Sequence, residues 1–132
     1  MIASARAGEV MGVELNKDAV RDAVSNAKRN GISNIRFYQH DAGDFLLEMA
    51  QQGAKLDLLF MDPPRSGSSE AFLNAAGKIA PKRIVYISCN PETLVRDLKI
   101  LAKKGYQVKR CAAVDMFPFT ESVEAVCLLS NT

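Results

Sequence analysis

The stretch that decides the fold is Asp57-Leu58-Leu59-Phe60-Met61-Asp62-Pro63-Pro64-Arg65-Ser66-Gly67. Leu56 to Met61 reads as a short buried strand, and the prolines behind it end its pairing because proline has no N–H to donate. A carboxylate followed by two prolines makes a rigid, extended turn at the mouth of a sheet. Pro63 and Pro64 bring no competing donors, so Asp62 and the carbonyls are left to point into a cleft. Arg65 can grip a phosphate or orient the acidic loop. The same residues also suit a plain proline-stiffened loop with a helix-capping serine beyond it.

On either side of this turn, strand-like and helix-like segments alternate. Val10 to Leu15 is an apolar strand, and Asn16 offers an N-cap to a helix whose Val20, Ala23, Val24 and Ala27 recur at helical spacing until Gly31. Ile35 to Gln39 predicts a second strand, and Phe45 to Gln52 a second helix closed by Gly53. Beyond the proline turn come a helix over about Glu70 to Ile79 and a strand over Ile84 to Ser88. Pro91 suits the first position of the next helix. That helix sets Leu94, Val95, Leu98, Leu101 and Ala102 on one face and ends at Gly105. Tyr106 to Met116 and Val123 to Ser130 are strands with no helix between them, which predicts a terminal antiparallel hairpin. The sum is an α/β protein with an open, mostly parallel sheet whose last strand runs backwards. Neither repeats nor linker-like composition interrupt residues 1–132, which read as part of a single domain.

Composition narrows the class. Of 132 residues, 48% are hydrophobic and 24% charged, as in globular proteins rather than disordered ones. The apolar runs are far shorter than the ~18 residues of a membrane helix, and the N-terminus lacks the pattern of a signal peptide. Cys89, Cys111 and Cys127 without CxxC spacing, with a single histidine, argue against a disulfide framework and a zinc site. A cytoplasmic protein is expected, with no membrane partner and no metal. Between Lys78 and Arg110, nine Lys or Arg face Glu92 and Asp97, a local +7 within a net charge of +2. That asymmetry suits a polyanion, and equally a solvated helix face.

Ligands of open α/β sheets bind beyond the C-terminal ends of the strands. Glu14, Asp41, Asp62 and Cys89 each fall at or just past such an end. An acidic residue ending a strand of a doubly wound fold accepts from ribose hydroxyls of a nucleoside cofactor, and Glu14 fits. Asp41 is placed to accept from an adenine amino group. Each is equally an acidic N-cap or loop charge. Cys89 stands between an apolar strand and the Pro91 helix, where exposed N–H groups and the helix dipole favour a thiolate and so a nucleophile. Cys111 and Cys127, inside apolar strands, are expected to be packed spectators.

Three motifs in order carry a resemblance. Asp62-Pro63-Pro64-Arg65-Ser66-Gly67, then Ile84-Val85-Tyr86-Ile87-Ser88-Cys89-Asn90-Pro91-Glu92-Thr93, then Asp115-Met116-Phe117-Pro118 leading to Glu124, closely resemble the RNA 5-methyluridine methyltransferases of transfer and ribosomal RNA. The resemblance covers essentially the whole chain. It implies a class I S-adenosylmethionine-dependent methyltransferase fold, with Cys89 as nucleophile and Glu124 as general base. Glu14, Asp41 and Asp62 match cofactor-contacting positions, and Pro63, Pro64, Arg65 and Asn90 the substrate-side loops. RNA cytosine-5 methyltransferases carry a second cysteine in the acidic-Pro-Pro loop; Arg65 and Ser66 stand there, which favours uridine.

The chain departs from the family pattern at Phe119, where a polar residue is usual, and at Ser122, where a histidine is usual. The family's first strand, its glycine-rich cofactor loop and its upstream RNA-binding portion have no counterpart, so a C-terminal fragment is expected, inactive on its own or weak in cofactor binding. With a central strand gone, the strand holding Glu14 should pair directly with the one holding Asp62, or recruit another chain by self-association. Two other functions fit parts of the sequence. One is a non-catalytic RNA-binding piece using residues 78–110, and the other is a methyltransferase acting on an exocyclic amine, which would leave Cys89 idle.

Overall fold

A computed structural model describes residues 1–131. The chain forms two compact units, Met1–Phe45 and Leu46–Thr132. Their boundary falls inside a helix, which is why no linker composition marks it.

The first unit is a βαβ crossover. Strand β1 (Val10–Glu14) leads into helix α1 (Lys17–Arg29) and then strand β2 (Ile35–Gln39). The strands pair in parallel, with Val10 opposite Ile35 and Glu14 opposite Gln39. Asn16 caps α1 as its sequence predicts, its side chain accepting from the N–H groups of Asp18 and Ala19. Gly31, at φ 66°, turns the chain out of the helix in a conformation that a side chain would strain. Asn34 ties down the N-terminal 3₁₀ turn, Ile2–Arg6, by donating to the carbonyls of Ser4 and Ala7.

Helix α2 (Ala42–Gln51) carries the chain into the second unit, followed by β3 (Leu58–Met61), α3 (Glu70–Ile79), β4 (Arg83–Ser88), α4 (Pro91–Lys103), β5 (Tyr106–Val114) and β6 (Glu124–Asn131). The sheet order is β3-β4-β6-β5. β3 and β4 are parallel, while β6 runs antiparallel to both β4 and β5. The backward last strand is therefore as expected, and it is inserted beside β4. One face of this sheet is covered by α3 and α4. Met61, Leu73, Ile84, Tyr86, Leu94, Leu101, Tyr106, Cys127 and Leu129 form the core there, and Leu46 of α2 packs with Ala75, Ala76 and Ile79 in a second cluster.

Three expectations need correction. The strand holding Glu14 does not pair with the strand holding Asp62: among the described residues β1 bonds to β2 and β3 to β4, giving separate sheets. The crossovers α1 and α3 each close a parallel pair of their own, and α2 leads between the sheets without adding β1 to the β3 edge. The buried stripe of α4 is Leu94, Asp97 and Leu101, whereas Val95 is 51% exposed. The helix is thus turned so that a carboxylate sits where an apolar contact was expected. Finally, Cys111 and Cys127 are joined as a disulfide, Cα to Cα 4.2 Å, and Cys111 lies on the exposed edge strand. A bulge between Val108 and Arg110 shifts the β5 register by one and sets Cys111 opposite Cys127. Spacing along the chain carries no trace of that shift.

Candidate active site

Within the first unit, Glu14 ends β1 and Asp41 lies two residues past β2. Glu14 Oε1 accepts from the N–H of Asn16 at 2.8 Å. Asp41 Oδ1 accepts from the N–H groups of Gly43 and Asp44 at 2.8 and 3.1 Å. That bonding explains why α2 begins at Ala42, before the expected Phe45: Asp41 is its cap. Both side chains are exposed at the C-terminal end of their strands.

Within the second unit, the strand register gathers the remaining residues. β3 ends at Met61, paired with Tyr86, so Asp62 stands one step on, level with Ile87. The β4–β6 ladder ends on the pair Ser88 and Ala125. Cys89 follows Ser88 in the bend after β4, and Glu124 precedes Ala125 at the start of β6, so both lie just beyond that last pair. Glu124 is also the last residue paired to β5, opposite Val114. Asp62, Cys89 and Glu124 therefore share one end of one sheet. Cys89 is a half-buried, unpaired thiol, Glu124 is half-buried and Asp62 exposed.

Local bonds hold Cys89 in its turn. Ser88 Oγ donates to the carbonyl of Asn90 and accepts from its N–H, bridging over the cysteine at 2.9 and 3.1 Å. Asn90 caps α4 by accepting from the Glu92 N–H, and its Nδ2 donates to the carbonyl of Arg65 at 3.1 Å. Pro91 at the start of α4 needs no such acceptor. The acidic-Pro-Pro turn closes on itself through a bond from the Gly67 N–H to the Pro64 carbonyl, 2.8 Å. The Arg65 guanidinium donates to Ser122 Oγ at 3.2 Å, two residues before Glu124. Ser122 thus has a definite partner where the family pattern usually has a histidine.

Sequence reasoning missed the group behind this loop. Asp97 is fully buried and accepts from the Tyr86 hydroxyl at 2.6 Å, the Ser68 N–H at 2.7 Å and Arg96 Nε at 2.8 Å. Burial, and after it the bond to Asp97, pushes the Tyr86 hydroxyl well above its ordinary range. The legible signal was an acid three residues after Leu94 and four before Leu101, squarely on the buried stripe. A cavity of about 450 Å³ opens beside the loop, lined by Ser66–Glu70, Arg96 and Ile100. Asp62, Cys89 and Glu124 do not line it, so it lies apart from the strand-end cluster.

The residues of each unit suit contacts to a nucleoside cofactor. Glu14 and Asp41 in the first unit, and Asp62 in the second, are exposed acceptors at strand ends, the chemistry that hydroxyl and amine donors require.

The same architecture recurs in solved methyltransferases. The chain superposes on the Pyrococcus abyssi tRNA (uracil-54, C5)-methyltransferase, crystallised with S-adenosyl-L-homocysteine, with a TM-score of 0.79 and 31% identity, covering 96% of this chain and 30% of that one. NSun6 from Pyrococcus horikoshii, at 19% identity and a TM-score of 0.74 over 94% of this chain and 41% of that one, shares the fold. The fold is that of the S-adenosylmethionine-dependent methyltransferases. The model of the tRNA (uracil-5-)-methyltransferase family matches residues 2–132, and the chain belongs to that family. Among curated relatives it is 46% identical to an uncharacterized RNA methyltransferase of Lactobacillus johnsonii, over 93% of this chain and 27% of the relative. It is 47% identical to one of Geobacter sulfurreducens, over 93% of this chain and 25% of the relative. The chain spans about a quarter of the length of these relatives.

Proposed function

We propose that this chain is the C-terminal catalytic part of an S-adenosylmethionine-dependent RNA methyltransferase that forms 5-methyluridine in transfer or ribosomal RNA in the cytoplasm. The observation that supports the reading is that Asp62 just past β3, Cys89 just past β4 and Glu124 at the start of β6 lie at one end of one sheet. Carbon 5 of uracil is too poor a nucleophile to be methylated directly. Cys89 as thiolate adds at carbon 6 and turns the ring into an enolate with its charge at carbon 5. Bound S-adenosylmethionine would supply the methyl group to carbon 5 from a sulfonium that leaves as a thioether, and Glu14, Asp41 and Asp62 are the positions that the family resemblance assigns to it. Glu124 then takes the proton from carbon 5, and the Cys89 sulfur leaves as the carbon 5–carbon 6 double bond reforms. A single nucleophile and a single base suffice, and this strand end offers one of each.

Covalent trapping tests the assignment. In the full-length enzyme, RNA with 5-fluorouridine at the target should form a stable adduct, because fluorine cannot leave as a proton. Cys89→Ala should form none and should methylate no uridine. An adduct that persists in Cys89→Ala refutes the nucleophile. RNA that binds without trapping in the wild type would instead favour a non-catalytic RNA-binding piece.

A further inference from the structure

The loop that carries Arg65 is held almost entirely by one stripe of α4. Asn90 Nδ2 and Thr93 Oγ1 both donate to the Arg65 carbonyl at 3.1 Å. The Arg96 guanidinium donates to the carbonyls of Ser66 and Ser68 at 3.0 and 3.1 Å. Asp97 accepts from the Ser68 N–H and, through its other oxygen, fixes the Arg96 guanidinium. Between these bonds Gly67, at φ 77°, passes so close that a Cβ would meet Asp97 Oδ2 at 2.8 Å and clash with the Arg96 guanidinium. Tyr86, on the strand that ends beside Cys89, supplies the remaining bond to Asp97.

A fully buried carboxylate is a poor way to gain stability, since an apolar residue of like volume serves a core as well. Every acceptor and donor around Asp97 is nevertheless used, and all lead to residues flanking the strand-end cluster. We propose that Asp97 and Arg96 are positioning residues: together they lock the Arg65–Ser68 loop to the helix that begins beside Cys89. Arg65 is thereby held by its carbonyl to Asn90, the residue after Cys89, and by its guanidinium to Ser122, two residues before Glu124. This deepens the uridine reading and rests on it. Neither residue touches substrate; their effect reaches the reaction through the Arg65 loop and Cys89.

The test measures the rate of 5-fluorouridine adduct formation in the full-length enzyme, alongside RNA affinity, thermal stability and amide exchange of Gly67 and Ser68. Asp97→Asn keeps the shape but loses the ion pair with Arg96 and one of the two acceptor oxygens. It should slow adduct formation about 10²-fold, the scale of a small misplacement of a reacting group. Protection at Ser68 should fall with it, while RNA affinity stays unchanged. Arg96→Ala, whose side chain is half exposed and which should therefore fold, should slow the rate in the same direction. Leu101→Ala, buried on the same helix away from the loop, is the control for lost stability. If Leu101→Ala slows the rate as much at an equal loss of melting temperature, or if a folded Asp97→Asn or Arg96→Ala traps at the wild-type rate, the positioning role is overturned. A wild type that never traps overturns the uridine reading itself, a result distinct from either.

Discussion

The strand-end carboxylates Glu14 and Asp41 of Met1–Phe45 and the buried Asp97 of Leu46–Thr132 are held by opposite strategies. Glu14 and Asp41 bond only two or three residues along the chain, each closing a turn or capping a helix. Asp97 instead joins segments 29 and 11 residues away, and Arg65 reaches Ser122 across 57. Short-range bonds make a strand end whose shape survives on its own. Long-range bonds make a loop whose geometry exists only when the sheet, α4 and the β5–β6 connection are all assembled. Substitutions in the first unit should therefore act locally and mildly, and those in the second cooperatively.

The sharpest contrast lies in the chemistry. Replacing Glu124 by Gln leaves addition and methyl transfer intact and removes only the proton acceptor. Turnover should fall ~10²–10⁴-fold. A methylated RNA–protein adduct should accumulate on a denaturing gel; release at the wild-type rate would show that another group is the base.

Two glycines with left-handed backbones offer a matched pair. Gly31 has open space around its Cβ position, and Gly67 is hemmed in by Asp97, Arg96 and Thr93. Gly31→Ala should cost about 1–2 kcal/mol, the conformational penalty alone. Gly67→Ala adds overpacking and should cost about 2–5 kcal/mol. Equal shifts in denaturant midpoint for the two variants would break the comparison.

The disulfide supplies a further test within the second unit. Cys111 and Cys127 close a loop of 16 residues of sequence separation, for which a bridge contributes ~3 kcal/mol. Cys111→Ser, or reduction, should lower stability by about that much and leave adduct formation nearly intact, since the proposed nucleophile is Cys89. Loss of the adduct in Cys111→Ser would implicate the wrong sulfur.

The smallest effect is expected at Asp41. Asp41→Ala removes the cap of α2 and should cost roughly 0.5–2 kcal/mol. S-adenosylmethionine affinity in the full-length enzyme should weaken beyond what the stability loss explains. If calorimetric titration shows unchanged affinity, Asp41 is a cap and nothing more.

How much of this was legible varies with the range of the interaction. α1 and α4 could be placed from Asn16, Asn90 and Pro91, because a cap and the helix it starts lie within four residues. β3 and its end were legible from an apolar run meeting Asp62-Pro63-Pro64. The expected face of α4 went wrong at Val95 and Asp97, since helical periodicity cannot say that a buried acid will find Tyr86, Ser68 and Arg96. The candidate site was legible in Asp62 and Cys89 as residue types at strand ends, in Glu124 only through the family resemblance, and nowhere as a geometry.

The sequence by itself determined the order of strands and helices, their caps and stops, and which chemically able side chains end which strand. These depend on periodicity, proline, glycine and capping bonds, all of which act between near neighbours. Only the tertiary structure decided that β6 enters beside β4, which brings Glu124 to the sheet end where Cys89 lies. It also decided that a bulge in β5 sets Cys111 against Cys127, and that Asp97 serves a loop instead of solvent. The physical reason is common to all of these. Strand neighbours, register and buried polar partners are chosen by which distant surfaces can satisfy one another at once, and no local window of the chain contains both halves of that match.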